Sequence, residues 1–209
     1  MDNCTEERFL NDVKAHRMFT IRDDTFNKHI HFNRLGDHIC HFDLITWPGY
    51  LCITGDYGTY VFSRISDMFE FFRTDQSYKD AHPDRKLFIN PDYWGQKLLS
   101  ICKMGGYKEF DKNAFKERVV TQYEEFTKYD DKDRYWIAQL WEEIDARVLS
   151  KIDEGEHAAC AAIQNFDSGS FQFEGFFDDD EDYKKPTFHY IWCLYAIAWG
   201  IEQYDRAKT

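Results

Sequence analysis

The 209-residue sequence has few long apolar runs, so we expect neither a membrane-spanning segment nor a secretory signal. Its longest apolar run, Tyr190 to Ile201, is too short to span a bilayer and is typical of a buried helix. The first ten residues carry several charges and lack the apolar stretch of a secretory signal. We therefore expect a cytoplasmic protein that does not enter a membrane.

An excess of basic residues is also missing. The chain has 38 Asp and Glu against 26 Lys and Arg, which gives a formal net charge of −12. Proteins that bind nucleic-acid phosphates or anionic lipid need a basic surface. The composition therefore argues against direct binding to nucleic acid or to a membrane surface.

Motifs that assign an activity are absent as well. The six cysteines are widely spaced and form no CxxC pair, so we expect reduced, buried thiols rather than a disulfide framework. The chain contains no GxSxG, HExxH or GxGxxG pattern. The sequence therefore favours a non-enzymatic protein without a cofactor. Aromatic residues make up 18% of the chain, which supplies a large core and excludes global disorder.

The first half of the sequence has the composition of β-strands joined by tight turns. Apolar and polar residues alternate, and Gly and Pro mark the turns between the runs. Because the connections are too short for a crossover helix, we predict an antiparallel meander of about four strands. The predicted strands are Thr25–Arg34, His38–Trp47, Tyr50–Thr54 and Thr59–Ser63.

The second half is predicted to be helical. Apolar residues at helical spacing and flanking cap residues indicate the helices. The clearest are an N-capped helix from Asn90 that ends before Gly105, one from Asp111, an amphipathic helix at 133–154, and a last helix from Pro186 to about Ala207. The prediction is one α+β domain over residues 1–209, with a sheet-rich part at about 18–74 and a helical part at about 86–209.

One segment resembles a known family. Phe42 to Arg73 contains FDLITWPG, a GDxGTY turn and the run DMFEFFR, and weaker echoes lie at Ile89 to Leu98 and in the closing IWCLYAIAWGIEQYD. This combination resembles a family of uncharacterised accessory proteins of tailed bacteriophages. The resemblance implies a phage-encoded protein that acts in the cytoplasm of a bacterial host. It carries no catalytic residue over to this chain.

The first predicted hairpin is rich in side chains that can bind metal. A three-residue turn at Leu35–Asp37 would place His31 opposite His41, with His29, His31, His41 and Asp43 on one face and Cys40 in the core. A two-residue turn would instead group His29, His31, His38 and Cys40. We prefer the first register because it makes the other face uniformly apolar. A divalent metal at His29, His31, His41 and Asp43 is the alternative to solvated histidines on a sheet surface.

Aromatic residues near turns provide a second candidate site. Trp47, Tyr57 and Trp94 could each stack on a nucleotide base, which needs only a π-face and a few polar groups. The competing interpretation is that they pack at hairpin turns and in the core.

The run at 178–182 provides a third candidate site. Acidic side chains follow aromatic ones there, and this combination suits the basic surface of a partner protein, because aromatic rings supply buried area and charges steer association. The competing interpretation is a solvated loop over a core patch. The residues are Phe173, Phe176, Phe177, Asp178, Asp179, Asp180, Glu181 and Asp182.

Together these features predict a binding protein. It would bind and modulate or inhibit a host or phage protein, such as an anti-phage defence or nucleic-acid-processing component, through its acidic and aromatic surface. The alternative is a metal-dependent enzyme or a nucleotide-binding protein that uses the His-rich hairpin or the turn aromatics. The aromatic content also suits a self-association surface.

Overall fold

The computed structural model describes residues 4–102, 106–128, 134–178 and 183–208. Within these residues the protein is α+β, with the sheet in the N-terminal half, and this confirms the predicted fold class. The strands are β1 (His16–Asp24), β2 (Asn27–Arg34), β3 (Phe42–Trp47), β4 (Tyr50–Gly55), β5 (Gly58–Ser63), β6 (Leu98–Ile101), β7 (Lys108–Phe110) and β8 (Lys184–Pro186). The helices are α1 (Glu6–Val13), α2 (Met68–Phe72), α3 (Gln76–Ala81), α4 (Pro91–Gly95), α5 (Lys112–Lys128), α6 (Arg134–Arg147), α7 (Glu156–Gln164) and α8 (Phe188–Lys208), with a 3₁₀ helix at Leu149–Glu154.

The chain divides into two compact units. The first unit comprises Met1–Tyr107 and Pro186–Thr209, and the second comprises Lys108–Lys185. The last helix therefore belongs to the same unit as the sheet, although the sequence groups it with the helical part. That all 209 residues form one domain stays a prediction.

The sheet of the first unit is an antiparallel meander in the order β1-β2-β3-β4-β5-β6. Its four inner strands correspond to the predicted ones, and β1 and β6 are additional. The prediction of one helix from Asn90 to before Gly105 is wrong, because α4 ends at Gly95 and β6 follows it. Both additional strands lie at the edges of the sheet, where exposed side chains weaken the alternation of apolar and polar residues.

The pairing of β2 with β3 differs from both predicted registers. His31 lies opposite Asp43 and Phe32 opposite Phe42, so the predicted pairing of His31 with His41 is wrong. The strand predicted from His38 begins only at Phe42, because the chain turns at Cys40 with a positive φ of 61°. The observed pairing differs from the preferred one by two residues along β3. Because side chains alternate between the two faces of a strand, the same residues still share each face of the hairpin.

Helix α8 covers the apolar face of the sheet. Nine of its residues, from Tyr190 to Ile201, are buried, which matches the apolar run of the sequence. Gly200 allows this close approach, since a Cβ placed there would lie 2.8 Å from Cδ1 of Leu44 and 3.2 Å from Cε2 of Phe32. Phe9 of α1 packs against the rings of Trp192 and Trp199 on the same helix.

The second unit is built around its own apolar core. Asp111 caps α5, and its Oδ1 accepts hydrogen bonds from the backbone N–H groups of Asn113 and Ala114, as the sequence predicts. The predicted helix at 133–154 becomes α6 followed by the 3₁₀ helix, which ends at Glu154 and is followed by Gly155 with a φ of 110°. The core residues include Phe115, Val119, Leu140, Ile144, Val148, Ile163, Phe171 and Phe176.

None of the helices in the described parts of the chain has the length and apolar character that a membrane crossing requires.

Candidate functional site

Strands β2 and β3 bring two histidines and a carboxylate together on the face of the sheet opposite α8. Oδ1 of Asp43 lies 2.8 Å from Nε2 of His29 and 3.0 Å from Nδ1 of His31. His29 and His31 alternate along β2 and therefore share this face, while Asp43 lies directly across from His31. The sequence correctly placed these three side chains on one face.

The arrangement fixes the orientation of both imidazole rings. An ionised carboxylate only accepts hydrogen bonds, so His29 donates from Nε2 and His31 donates from Nδ1. The side chain of Asp43 is only 19% exposed, which strengthens these charge-assisted bonds relative to bonds in open water.

His41 has different partners from the other two histidines. Its Nδ1 lies 2.9 Å from the carbonyl oxygen of His38 and 3.0 Å from Oδ1 of Asp56. The ring centroids of His31 and His41 are 6.3 Å apart. In residues 4–102, 106–128, 134–178 and 183–208, no three His, Cys, Asp or Glu side chains are grouped so that they could hold a metal ion. A divalent metal at the four predicted residues stays a prediction.

The loop between β2 and β3 is held by a residue that the sequence analysis missed. Nε2 of His16 lies 2.9 Å from the carbonyl oxygen of Cys40, so the start of β1 anchors the loop that carries His38 and His41. Burial lowers the pKa of His16 below its ordinary value of 6.5, and the hydrogen bond to Cys40 opposes this only in part. The Cys40 thiol lies 3.6 Å from the Tyr57 hydroxyl, and burial raises its pKa, as expected of a core cysteine.

Acidification is expected to destabilise the protein through His16. Because its pKa in the folded state is below 6.5, the unfolded chain takes up the proton first as the pH falls. The stabilisation is intact above pH 6.5 and is lost between that pH and the lower folded pKa. Urea unfolding of wild type and His16→Gln at pH 7.5 and pH 5 tests this: the loss on acidification should be smaller in the variant.

The exposed His157 of the second unit provides the matched control for this measurement. His157→Gln should lose as much stability on acidification as wild type does. An equal loss in His16→Gln and in wild type would contradict the assignment to His16.

The three aromatic residues predicted to stack on a nucleotide do not form one site. Trp47 and Tyr57 lie at opposite ends of β4, and Trp94 is 2% exposed in α4. Tyr57 already stacks on Trp192 at 4.3 Å, and Trp94 packs edge-on against Phe72. The prediction is therefore wrong for Trp94, because core packing covers its ring. Tyr57 is half-buried, and its part in nucleotide binding stays a prediction.

Trp47 keeps part of its surface. Its ring stacks on Tyr50 at 5.1 Å, and the residue is 38% exposed.

The aromatic residues of the predicted acidic and aromatic surface are buried or half-buried in the structure. Phe176 is 2% exposed and packs against Phe115 and Tyr183 in the core of the second unit. Phe173 and Phe177 are half-buried and pack against Phe176, and their part in binding a partner stays a prediction. Of the acidic run, Asp178 is exposed. Asp179, Asp180, Glu181 and Asp182 lie outside the described residues.

The division into units shows where the negative charge of the chain resides. Lys108–Lys185 contains 21 of the 38 acidic residues and 11 of the 26 basic ones, a formal charge of −10. The first unit has 17 acidic and 15 basic residues, a formal charge of −2. The acidity is therefore a property of the second unit, which the formal charge of the whole chain does not reveal.

Comparisons of the chain with protein-family models, with curated proteins and with solved structures found no match. The resemblance to the phage family stays a prediction.

Proposed function

We propose that this chain is a non-enzymatic binding protein whose acidic helical unit binds a basic surface of a partner protein. The observation that carries the proposal is the concentration of charge, −10 within 78 of the 209 residues. A one-signed surface attracts an oppositely charged partner over several ångströms and raises the association rate.

Exposed carboxylates on two helices supply this charge. Glu117, Glu124 and Glu125 of α5 and Glu142 and Asp145 of α6 are exposed. Within the part of the second unit that the structure describes, these five have no salt bridge. In the described part of the unit their charge is therefore not offset by an ion pair, unlike that of carboxylates such as Asp153, which pairs with a lysine.

The resemblance to phage accessory proteins suggests the kind of partner. A host protein that processes nucleic acid presents a basic groove to the phosphate backbone. The acidic unit would occupy such a groove and so inhibit the host protein, with an anti-phage defence component as one such target. Binding would take place in the bacterial cytoplasm.

Removing three of the unpaired charges should weaken this binding. In the variant Glu124→Gln, Glu125→Gln, Glu142→Gln, capture of the partner from a bacterial lysate is expected to fall about tenfold, at ~0.5 kcal/mol per exposed charge. Quantitative mass spectrometry of the captured proteins at low and high salt measures this, and the captured wild-type partner should be basic and released by salt.

A control variant removes the same charge from the first unit. Glu7→Gln, Glu70→Gln, Asp84→Asn changes three exposed carboxylates there and should capture as much partner as wild type. Equal capture by the two triple variants, or a captured protein that is itself acidic, would show that the acidic unit is not the binding surface.

A further inference from the structure

A cleft in the first unit has the opposite character to the rest of the chain. It has a volume of about 480 Å³ and lies where the segment around residues 79–87 meets α8. We call it the cationic cleft. Its lining residues are Leu10, Lys79, Pro83, Arg85, Lys86, Leu87, Trp199, Glu202, Gln203 and Arg206.

Positive charge dominates this lining. Among the described lining residues, four are basic and one, Glu202, is acidic. The whole chain, by contrast, has a net charge of −12. A neighbouring cleft along α8, which shares Lys79, Glu202 and Arg206 with the cationic cleft, contains more carboxylates. There Arg73 forms a two-bonded pair with Asp205, at 2.7 and 3.0 Å, and two further carboxylates, Glu70 and Asp75, line the wall.

The basic residues of the cationic cleft retain capacity for a ligand. Glu202 accepts a hydrogen bond from Nζ of Lys79 at 2.5 Å and lies 3.5 Å from Nη2 of Arg206. One carboxylate is therefore shared between two cationic side chains. The side chain of Lys86 has no ion pair in the described parts of the chain, and Arg85 is exposed. The four basic side chains of the lining therefore outnumber the two carboxylates beside them, Glu202 and Glu6.

The segment that carries Arg85 and Lys86 is fixed in place. Oε1 of Glu6 in α1 accepts hydrogen bonds from the backbone N–H groups of Lys86 and Leu87, at 2.7 and 3.1 Å. These bonds hold the segment against α1, so binding a ligand there does not require the backbone to be ordered first.

The opposite wall is aromatic and rigid. Trp199 is half-buried, and its ring packs edge-on against Phe32 at 5.4 Å and Phe42 at 6.2 Å. Leu10 and Leu87 extend this apolar surface. The lining of the cleft therefore combines a fixed indole with several basic side chains.

We propose that the cationic cleft binds a nucleoside diphosphate, with the phosphates at Arg85, Lys86 and Arg206 and the base against Trp199. The volume falls within the range of small-ligand sites, which also combine an apolar wall with a few polar groups. Two phosphates carry about three negative charges at neutral pH, which suits a lining in which basic side chains outnumber carboxylates. The site lies in the first unit and does not depend on the proposed acidic surface of the second.

Isothermal titration with ADP, adenosine and inorganic pyrophosphate tests the proposal. ADP is expected to bind at least about tenfold more tightly than either fragment, because only ADP uses both walls. In Arg85→Gln, Lys86→Gln the affinity for ADP should fall at least about tenfold, since both side chains that would form charge-assisted hydrogen bonds to the phosphates lose their charge. Circular dichroism should show the variant folded like wild type.

The control removes two other exposed arginines of the first unit. Arg34→Gln, Arg64→Gln makes the same change in charge outside the cleft and should bind ADP as wild type does. The proposal is overturned by any of three results: no heat of ADP binding up to about 5 mM, equal ADP affinity in the two double variants, or pyrophosphate binding as tightly as ADP.

Discussion

Replacing Trp192 by alanine is expected to lower the free energy of unfolding by about 4 kcal/mol. Trp192 is 1% exposed and lies at the centre of the aromatic core of the first unit. Its ring packs against Phe9 at 5.1 Å, Tyr57 at 4.3 Å and Phe42 at 5.7 Å. The alanine variant leaves a cavity that these three rings, fixed on α1, a turn and β3, can fill only in part. Urea unfolding followed by circular dichroism measures the loss.

A phenylalanine at the same position separates packing from hydrogen bonding. Nε1 of Trp192 donates to Oδ2 of Asp12 at 3.1 Å, and Trp192→Phe removes this bond but keeps most of the ring. The expected loss is smaller, about 1–2 kcal/mol. A loss below 1 kcal/mol in Trp192→Ala would mean that the core of the first unit does not depend on this side chain.

Gly55→Ala is expected to destabilise the first unit by about 3 kcal/mol or more, because two segments of backbone meet at this residue. A Cβ at Gly55 would lie 2.2 Å from the carbonyl oxygen of His41 and 2.8 Å from Cα of Phe42. Neither atom can move away as a flexible side chain could. The end of β4 would have to separate from β3, which also disturbs the bond from the Asp56 N–H to the His41 carbonyl. Urea unfolding measures the change.

Gly36→Ala provides the comparison for Gly55→Ala. Gly36 has a φ of 77°, and a Cβ there would meet nothing within 4 Å. Its substitution therefore costs only the strain of a left-handed backbone, about 1–2 kcal/mol. If Gly55→Ala were no more destabilising than Gly36→Ala, the close approach of His41 would carry no energetic weight.

The inner strands of the sheet could be predicted because both local signals agreed. Ile30 and Phe32 alternate with histidines in β2, and Gly and Pro mark the turns on either side of β4. The edge strands β1 and β6 gave no such agreement. Leu98–Ile101 has one half-buried residue and three exposed ones, so its alternation is lost and only pairing with β5 makes it a strand.

The sequence predicts which face of the sheet carries the candidate site, but it does not predict which residues of β2 and β3 lie opposite one another. His29, His31 and Asp43 share a face for any register that differs by two residues, because side chains alternate along a strand. The actual register depends on the long connection before Phe42, on the turn at Cys40 and on the anchor from His16. His16 and Cys40 are 24 residues apart, and nothing in the local pattern links them.

The sequence by itself determined the class of the fold, the inner strands, the buried character of the last helix and the overall negative charge. These follow from composition and short periodicity, which depend on neighbouring residues. The tertiary structure decided which surfaces those residues form. The cationic cleft joins Lys79 and Arg85 to Trp199 and Arg206, more than 100 residues further along the chain. Such a site exists only because α8 packs against the sheet. Hydrophobic burial is not directional, so the position of α8 depends on the packing of the whole unit.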